Sequence, residues 1–217
     1  MITHNMNKLL ELDKKYTDSF SATFEKLQES YFEIEKKYQF NISKTELTEA
    51  IIERLKIYYI TQGKIKDFLN KRYLAAASDF FVETILFFLR LYLKQENNGL
   101  EAHSERQIRK RKNAIRPDIS IWKGDEVIAI IECKTQLGWN RDNWEQHYLD
   151  RQIKLKSEFP DAKSWLVVMT GVNWGGFENH RDLNQNYFCL LKNIWPDEFT
   201  QSDQILTPIE AMFKLLK

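Results

Sequence analysis

One stretch constrains this chain more than any other. It runs Arg116-Pro117-Asp118-Ile119-Ser120-Ile121-Trp122-Lys123-Gly124-Asp125-Glu126-Val127-Ile128-Ala129-Ile130-Ile131-Glu132-Cys133-Lys134. Ile119 to Trp122 alternates and carries β-branched residues, as a strand does. Val127 to Ile131 is a short, continuous apolar run, suited to a strand covered on both faces. Gly124-Asp125 between them is a hairpin turn signal. Charge sits at the far ends: Asp118 opens the first strand, and Glu132 and Lys134 close the second.

Side chains alternate along a strand, so Glu132 and Lys134 share a face. The placement of Asp118 depends on the turn. A plain two-residue turn at Gly124-Asp125 pairs Asp118 with Ile131 and puts it on the face opposite Glu132. A three-residue loop, Gly124 to Glu126, pairs Asp118 with Glu132. One residue of slip inverts the whole face. The expectation is therefore a three-residue loop or a bulge.

Two carboxylates side by side at the rim of an apolar sheet repel each other and need a cation. Mg²⁺ is commonly held by one or two carboxylates, with waters and a substrate phosphate completing its shell. A neighbouring ammonium can stabilise charge on a water or a phosphate oxygen. That set of groups suits phosphodiester hydrolysis. The plain alternative is an ordinary hairpin with a cross-strand ion pair at its solvent end.

Pro117-Asp118, the hydrophobic hairpin and Glu132-Cys133-Lys134 together resemble the signature of the PD-(D/E)XK nuclease superfamily, the restriction-endonuclease-like fold. The resemblance covers about the last two-thirds of the chain as a fold, and this segment is its specific part. It implies that Asp118 and Glu132 bind Mg²⁺, with Mn²⁺ able to substitute and the Cys133 carbonyl a further ligand. It implies that Lys134 orients or activates the attacking water. The helix before the sheet often supplies another acidic residue in this family, and Glu83 is the position that matches; the structural alternative is an ion pair of Glu83 with Arg90 or Arg72.

Composition bounds the rest. The 217 residues are 43% hydrophobic and 13% aromatic, enough for a real core, and the formal net charge is only +1. A nucleic-acid binder with that balance must concentrate its positive charge locally. Such a concentration precedes the hairpin: Arg106, Arg109, Lys110, Arg111, Lys112 and Arg116. A charge run is ordinarily a solvated loop, but this one leads into the acid pair and could track a phosphate backbone. The two cysteines, Cys133 and Cys189, lie far apart without metal-ligand spacing, and a reducing compartment is expected. No export signal is evident, and the apolar run from Phe80 to Leu93 is broken by Glu83 and Arg90, so no membrane span is expected. A cytoplasmic location follows as an expectation.

Along the chain, residues 5–40 repeat Leu9, Leu12, Tyr16, Phe20, Phe24, Leu27, Tyr31, Ile34 and Tyr38 at spacings of three and four. This predicts an amphipathic helix, packed on its own domain rather than in an intermolecular coiled coil. Ser43 with Glu46 fits a capping box for a second helix ending at Gly63, with a third from Lys64 to about Leu74. Ser78-Asp79 starts a helix apolar almost all round, reaching about Gln95 before Asn97-Asn98-Gly99; within it Glu83 is expected to be buried. A first strand follows Leu100. Beyond Lys134, Gln136 keeps the parity of Glu132 and Lys134. A helix from Asp142 to Phe159 turns Trp144, Tyr148, Leu149, Ile153 and Leu155 inward, with Arg141, Arg151, Lys154 and Lys156 available outward. Gln146, Tyr148 and Gln152 lack the Gln-x-x-x-Tyr spacing of the family's recombination-exonuclease branch. Ser164 to Thr170 is a buried strand, the glycine-rich Gly171 to Phe177 lacks the Lys-Ser/Thr of a phosphate-cradling loop, Tyr187 to Leu191 is a last strand, and Thr207-Pro208 opens a final helix.

The expected fold is α/β (α+β): a central mixed β-sheet flanked by helices, with a helical N-terminal region over 1–77 and the nuclease-like core over 78–217. The expected activity is an Mg²⁺-dependent DNA endonuclease, most simply a type II restriction enzyme. Its expected partners are double-stranded DNA contacted by the basic run and Arg141, a second copy of the chain, and a cognate DNA methyltransferase. Two other readings stay open: another nuclease of the same fold for repair, phage or mobile-element processing, and a non-cleaving DNA-binding module.

Overall fold

The computed structural model describes residues 2–110, 112, 114–137, 141–173 and 179–216, and among these the side chains of 2–7 and 141–144 are not described. The chain divides into two units, Met1–Gln39 and Phe40–Lys217. The expected boundary near residue 77 is thus displaced to residue 39. The reason is helix α2 (Glu46–Phe68), whose Ile51, Ile52 and Leu55 are fully buried in the second unit's core.

The first unit is the 36-residue helix α1 (Ile2–Lys37). Its apolar stripe is exposed from Leu9 to Phe24, Leu12 at 74% and Phe20 at 63%, while Leu27, Tyr31 and Ile34 are half-buried. Over the exposed part, the expected cover is not found among the described residues of this unit.

In the second unit, α2 runs straight through Gly63, so the expected break there, and with it a separate third helix, does not occur. Its N-terminus is not closed by the Ser43–Glu46 box either. The buried carboxylate of Glu210, on the short helix α5 (Ile209–Phe213), accepts the backbone N–H of Leu47 at 2.8 Å and of Thr48 at 3.1 Å. It also accepts the Thr48 hydroxyl, whose oxygen in turn accepts the N–H of Ile209 at 2.8 Å. An anion at a helix N-terminus satisfies orphan donors and complements the helix dipole. Helix α3 (Ser78–Glu96) ends on Asn97 in the left-handed conformation, φ 48°, which asparagine tolerates better than most residues.

Five strands form one sheet in the order β1 (Glu101–Ser104), β2 (Ile119–Lys123), β3 (Glu126–Lys134), β4 (Lys163–Thr170) and β5 (Tyr187–Leu191). The first three pair antiparallel, and β3, β4 and β5 pair parallel. The fold is therefore α+β with a mixed sheet flanked by helices, as expected. Helix α4 (Arg141–Glu158) connects β3 to β4. Its Leu155 packs with Trp122, Val127 and Ile130 on one sheet face, and its Tyr148 with Leu166, Val168 and Tyr187. Residues of opposite parity, Ile119, Ile121, Ala129, Ile131, Trp165 and Val167, are also buried, and α3 packs against β1 and β3. Both faces are covered, which is why β3 and β4 read as unbroken apolar runs.

Candidate functional site

The hairpin settles its register with a bulge. Gly124 takes φ 60° and Lys123 pairs with Glu126, so the turn has two residues. Trp122 then pairs with Val127, but Ile121 pairs with Ala129, leaving Ile128 as an extra residue on β3. A bulge of this kind re-aims every side chain beyond it. Ile119 consequently lies opposite Ile131, and one step further Asp118 falls opposite Glu132. Directly opposed residues share a face. Ser120, two residues from Asp118, accepts the Trp122 indole N–H at 2.8 Å on the α4 side of the sheet, and it pairs with Ile130 of the same side. Asp118, Glu132 and Lys134 therefore converge on the α4 face, at the carboxyl ends of the parallel strands where open sheets place their ligands.

The contacts bear out the parity. The Lys134 ammonium lies 3.7 Å from Asp118 Oδ2 and 3.8 Å from Glu132 Oε2, between the two acids. Asp118 is held at both ends. Its Oδ2 accepts the Cys133 N–H at 2.7 Å, and its carbonyl accepts the Glu105 N–H at 3.1 Å and the Ser104 hydroxyl at 3.1 Å. Glu132 is not an exposed strand-end residue: its side chain is only 6% exposed. A buried carboxylate requires a partner, and Arg151 of α4 supplies it, donating from Nη1 to Glu132 Oε1.

Arg151 was expected to face outward and Leu149 and Ile153 inward, but Leu149 and Ile153 are exposed, at 42% and 67%. Arg151 stands three residues after Tyr148 and four before Leu155, both buried, so helical spacing places it on the inward side of α4. That spacing was the signal available in the sequence.

Cys133 alternates to the opposite face, where its thiol is buried. Burial, aided by the nearby Asp118 charge and opposed by Lys134, pushes that thiol well above its ordinary pKa. Gln136, beyond the end of β3, accepts from the Asn173 side-chain amide at 3.3 Å.

Glu83 departs from expectation. It is exposed on α3, and its charge acts on the Arg54 guanidinium of α2 rather than on the acid pair, Arg90 or Arg72. The apolar surroundings suggested by its neighbours in sequence lie on the other sides of the helix, at Phe81, Ile85 and Phe88.

The basic run is also largely engaged within the fold. Arg106 stacks on Trp122 with its guanidinium 3.8 Å from the ring centre. Arg109 stacks on Phe159 at 4.1 Å and pairs with Glu158 at 3.0 Å. Arg116 pairs with Glu105 at 2.8 Å. Ile108 and Ile115 anchor the segment in the core beside Trp122 and Leu155. Lys110 and Lys112 are exposed. Arg111, the side chain of Arg141 and most of the glycine-rich segment after β4 lie outside the described residues.

Two carboxylates are hard oxygen donors, and their gathering around one ammonium fits a cation of the Mg²⁺ type, which leaves several positions to water and substrate. Among the described residues, no three His, Cys, Asp or Glu side chains converge as a full protein cage for a metal would need. No helix of the described residues is long and apolar enough to cross a membrane.

No family model matches the chain, and no curated protein matches it. Among solved structures, the native BbvCI A2B2 tetramer superposes with a TM-score of 0.33 at 12% sequence identity, over 87% of this chain and 94% of that one, a distant likeness.

Proposed function

We propose that the chain is an Mg²⁺-dependent nuclease that hydrolyses DNA phosphodiester bonds, most simply a type II restriction endonuclease, as its resemblance to the PD-(D/E)XK superfamily implies. The observation that supports this best is the β3 bulge, because it turns Asp118 onto the face of Glu132 with the Lys134 ammonium 3.7 and 3.8 Å from the two acids. Asp118, Glu132 and the Cys133 carbonyl would hold the ion. When bound, it polarises the phosphate and lowers the pKa of a coordinated water. Asp118 is pre-positioned by the Cys133 N–H, so little reorganisation is needed at its carboxylate. Lys134 orients the attacking water and offsets negative charge gathering on the phosphate oxygens.

The exposed Lys110 and Lys112 take the role of phosphate contacts in this reading, since Arg106, Arg109 and Arg116 are committed to Trp122, Phe159, Glu158 and Glu105. A homodimer acting on a palindromic site completes it, and the exposed stripe of α1 is the surface available for pairing. A cognate DNA methyltransferase is the partner such an enzyme implies. Sedimentation of the protein as a monomer with and without DNA would remove the dimer.

The test is incubation with plasmid DNA with and without Mg²⁺. Discrete, Mg²⁺-dependent fragments are expected; a smear or structure-specific nicking would point instead to a nuclease of repair, phage or mobile-element processing. One observation favours a non-cleaving DNA-binding module: Glu132 is already paired with Arg151. In that case no cleavage occurs, and EDTA leaves DNA affinity unchanged or higher.

A further inference from the structure

We infer that Arg151 is the site's resident counter-ion, occupying Glu132 in the cation-free protein and giving it up when a divalent cation enters. The inference rests on the reading of Asp118 and Glu132 as a cation site.

Three features carry it. First, Glu132 is buried at 6% side-chain exposure, whereas Arg151 is 42% exposed. The carboxylate cannot retreat to water but the guanidinium can, so the pair is asymmetric: only one member is free to leave. Second, the four groups Asp118, Glu132, Lys134 and Arg151 cancel in formal charge. A divalent cation added to a neutral cluster gains little unless one resident cation withdraws. Third, Lys134 is shared between both acids at 3.7 and 3.8 Å, beyond hydrogen-bonding distance, while Arg151 donates a hydrogen bond directly to Glu132 Oε1. Arg151 is therefore the stronger competitor for the oxygen that a metal would take. Its position on α4 is set by Tyr148 and Leu155, which are buried on either side of it along the helix, so a displaced guanidinium stays within a side chain's reach of the site. There its planar fork suits a phosphate oxygen pair.

The experiment measures Mn²⁺ binding to the protein without DNA, by calorimetry, in the wild type and in Arg151→Lys and Arg151→Gln, each also carrying Asp118→Ala as a control. Removing the competitor should tighten Mn²⁺ binding on the order of tenfold in Arg151→Gln. Arg151→Lys keeps the charge but loses the fork, and its affinity should fall between the two. Binding in all three should vanish with Asp118→Ala. Circular dichroism checks folding; should Arg151→Gln fail to fold with Glu132 left unpaired, the comparison of Arg151→Lys with wild type decides alone. Asp118-dependent Mn²⁺ binding that is equal or weaker in the Arg151 variants overturns the inference and leaves the nuclease reading standing. Absence of any Asp118-dependent Mn²⁺ binding overturns the cation site itself, and the inference with it.

Discussion

Among the described residues two carboxylates are buried, and they are satisfied in opposite ways. Glu210 is 1% exposed and Glu132 5%. Around Glu210 the donors are the N–H groups of Leu47 and Thr48 and the Thr48 hydroxyl, all fixed by the start of α2. Around Glu132 the partners are the Arg151 guanidinium, which donates a hydrogen bond, and the Lys134 ammonium at 3.8 Å, both on long and partly exposed side chains. Backbone amides cannot leave without unwinding a helix turn; side-chain cations can swing into water. The same chemical group is thus a structural clamp at the α2–α5 junction and, in the proposed cation site, an exchangeable ligand at the rim of the sheet. Burial by itself does not mark a functional acid. What its partners are free to do marks it.

The comparison is broken most forcefully by activity. Asp118→Ala, Glu132→Ala and Lys134→Ala should each slow plasmid cleavage on the order of 100-fold or more, while Glu210→Gln leaves cleavage per folded molecule unchanged. Wild-type rates in the three rim variants would reject the site.

Stability should rank the two acids the other way round. Glu210→Ala strands two N–H groups and a hydroxyl in the core, a loss of about 3 kcal/mol. Glu132→Ala strands only Arg151 and Lys134, which are 42% and 50% exposed and can hydrate, so a loss under about 1 kcal/mol is expected. Urea unfolding of both variants measures the difference, and equal losses would erase the distinction drawn between fixed and mobile partners.

How much of this was legible in the sequence follows from the range of the interactions. The hairpin, the parity of Glu132 and Lys134 and the need for a bulge are local consequences of alternation, and β5 falls at Tyr187–Leu191 as its apolar run implies. The Glu210 clamp was not legible, because its partners lie more than 160 positions away in the chain. Glu83 misled because apolar neighbours in sequence are not apolar neighbours in space: on a helix they occupy other sides. Gly63 misled because a glycine within a helix costs only about 1 kcal/mol, which packing of Ile51, Ile52 and Leu55 on the same helix readily offsets. The basic run was read as free charge, and only the fold shows that Trp122 and Phe159 lie beneath Arg106 and Arg109.

The smallest expected effect tests the face assignment on which the site depends. Cys133 stands between Glu132 and Lys134 in sequence, yet alternation turns it into the core. Burial raises its thiol pKa, with Asp118 adding to the rise and Lys134 opposing it. A thiol held protonated does not become a nucleophile as pH passes the ordinary thiol range. Native protein should therefore resist iodoacetamide at Cys133 between about pH 8 and 9 and react fully once unfolded. The linkage has a definite sign. Above the ordinary thiol pKa the unfolded chain releases a proton that the folded chain retains, so this group's contribution to stability is complete below that pH and declines above it. Rapid alkylation of Cys133 in folded protein would put the thiol on the accessible face, and strict alternation would then carry Glu132 and Lys134 into the core instead.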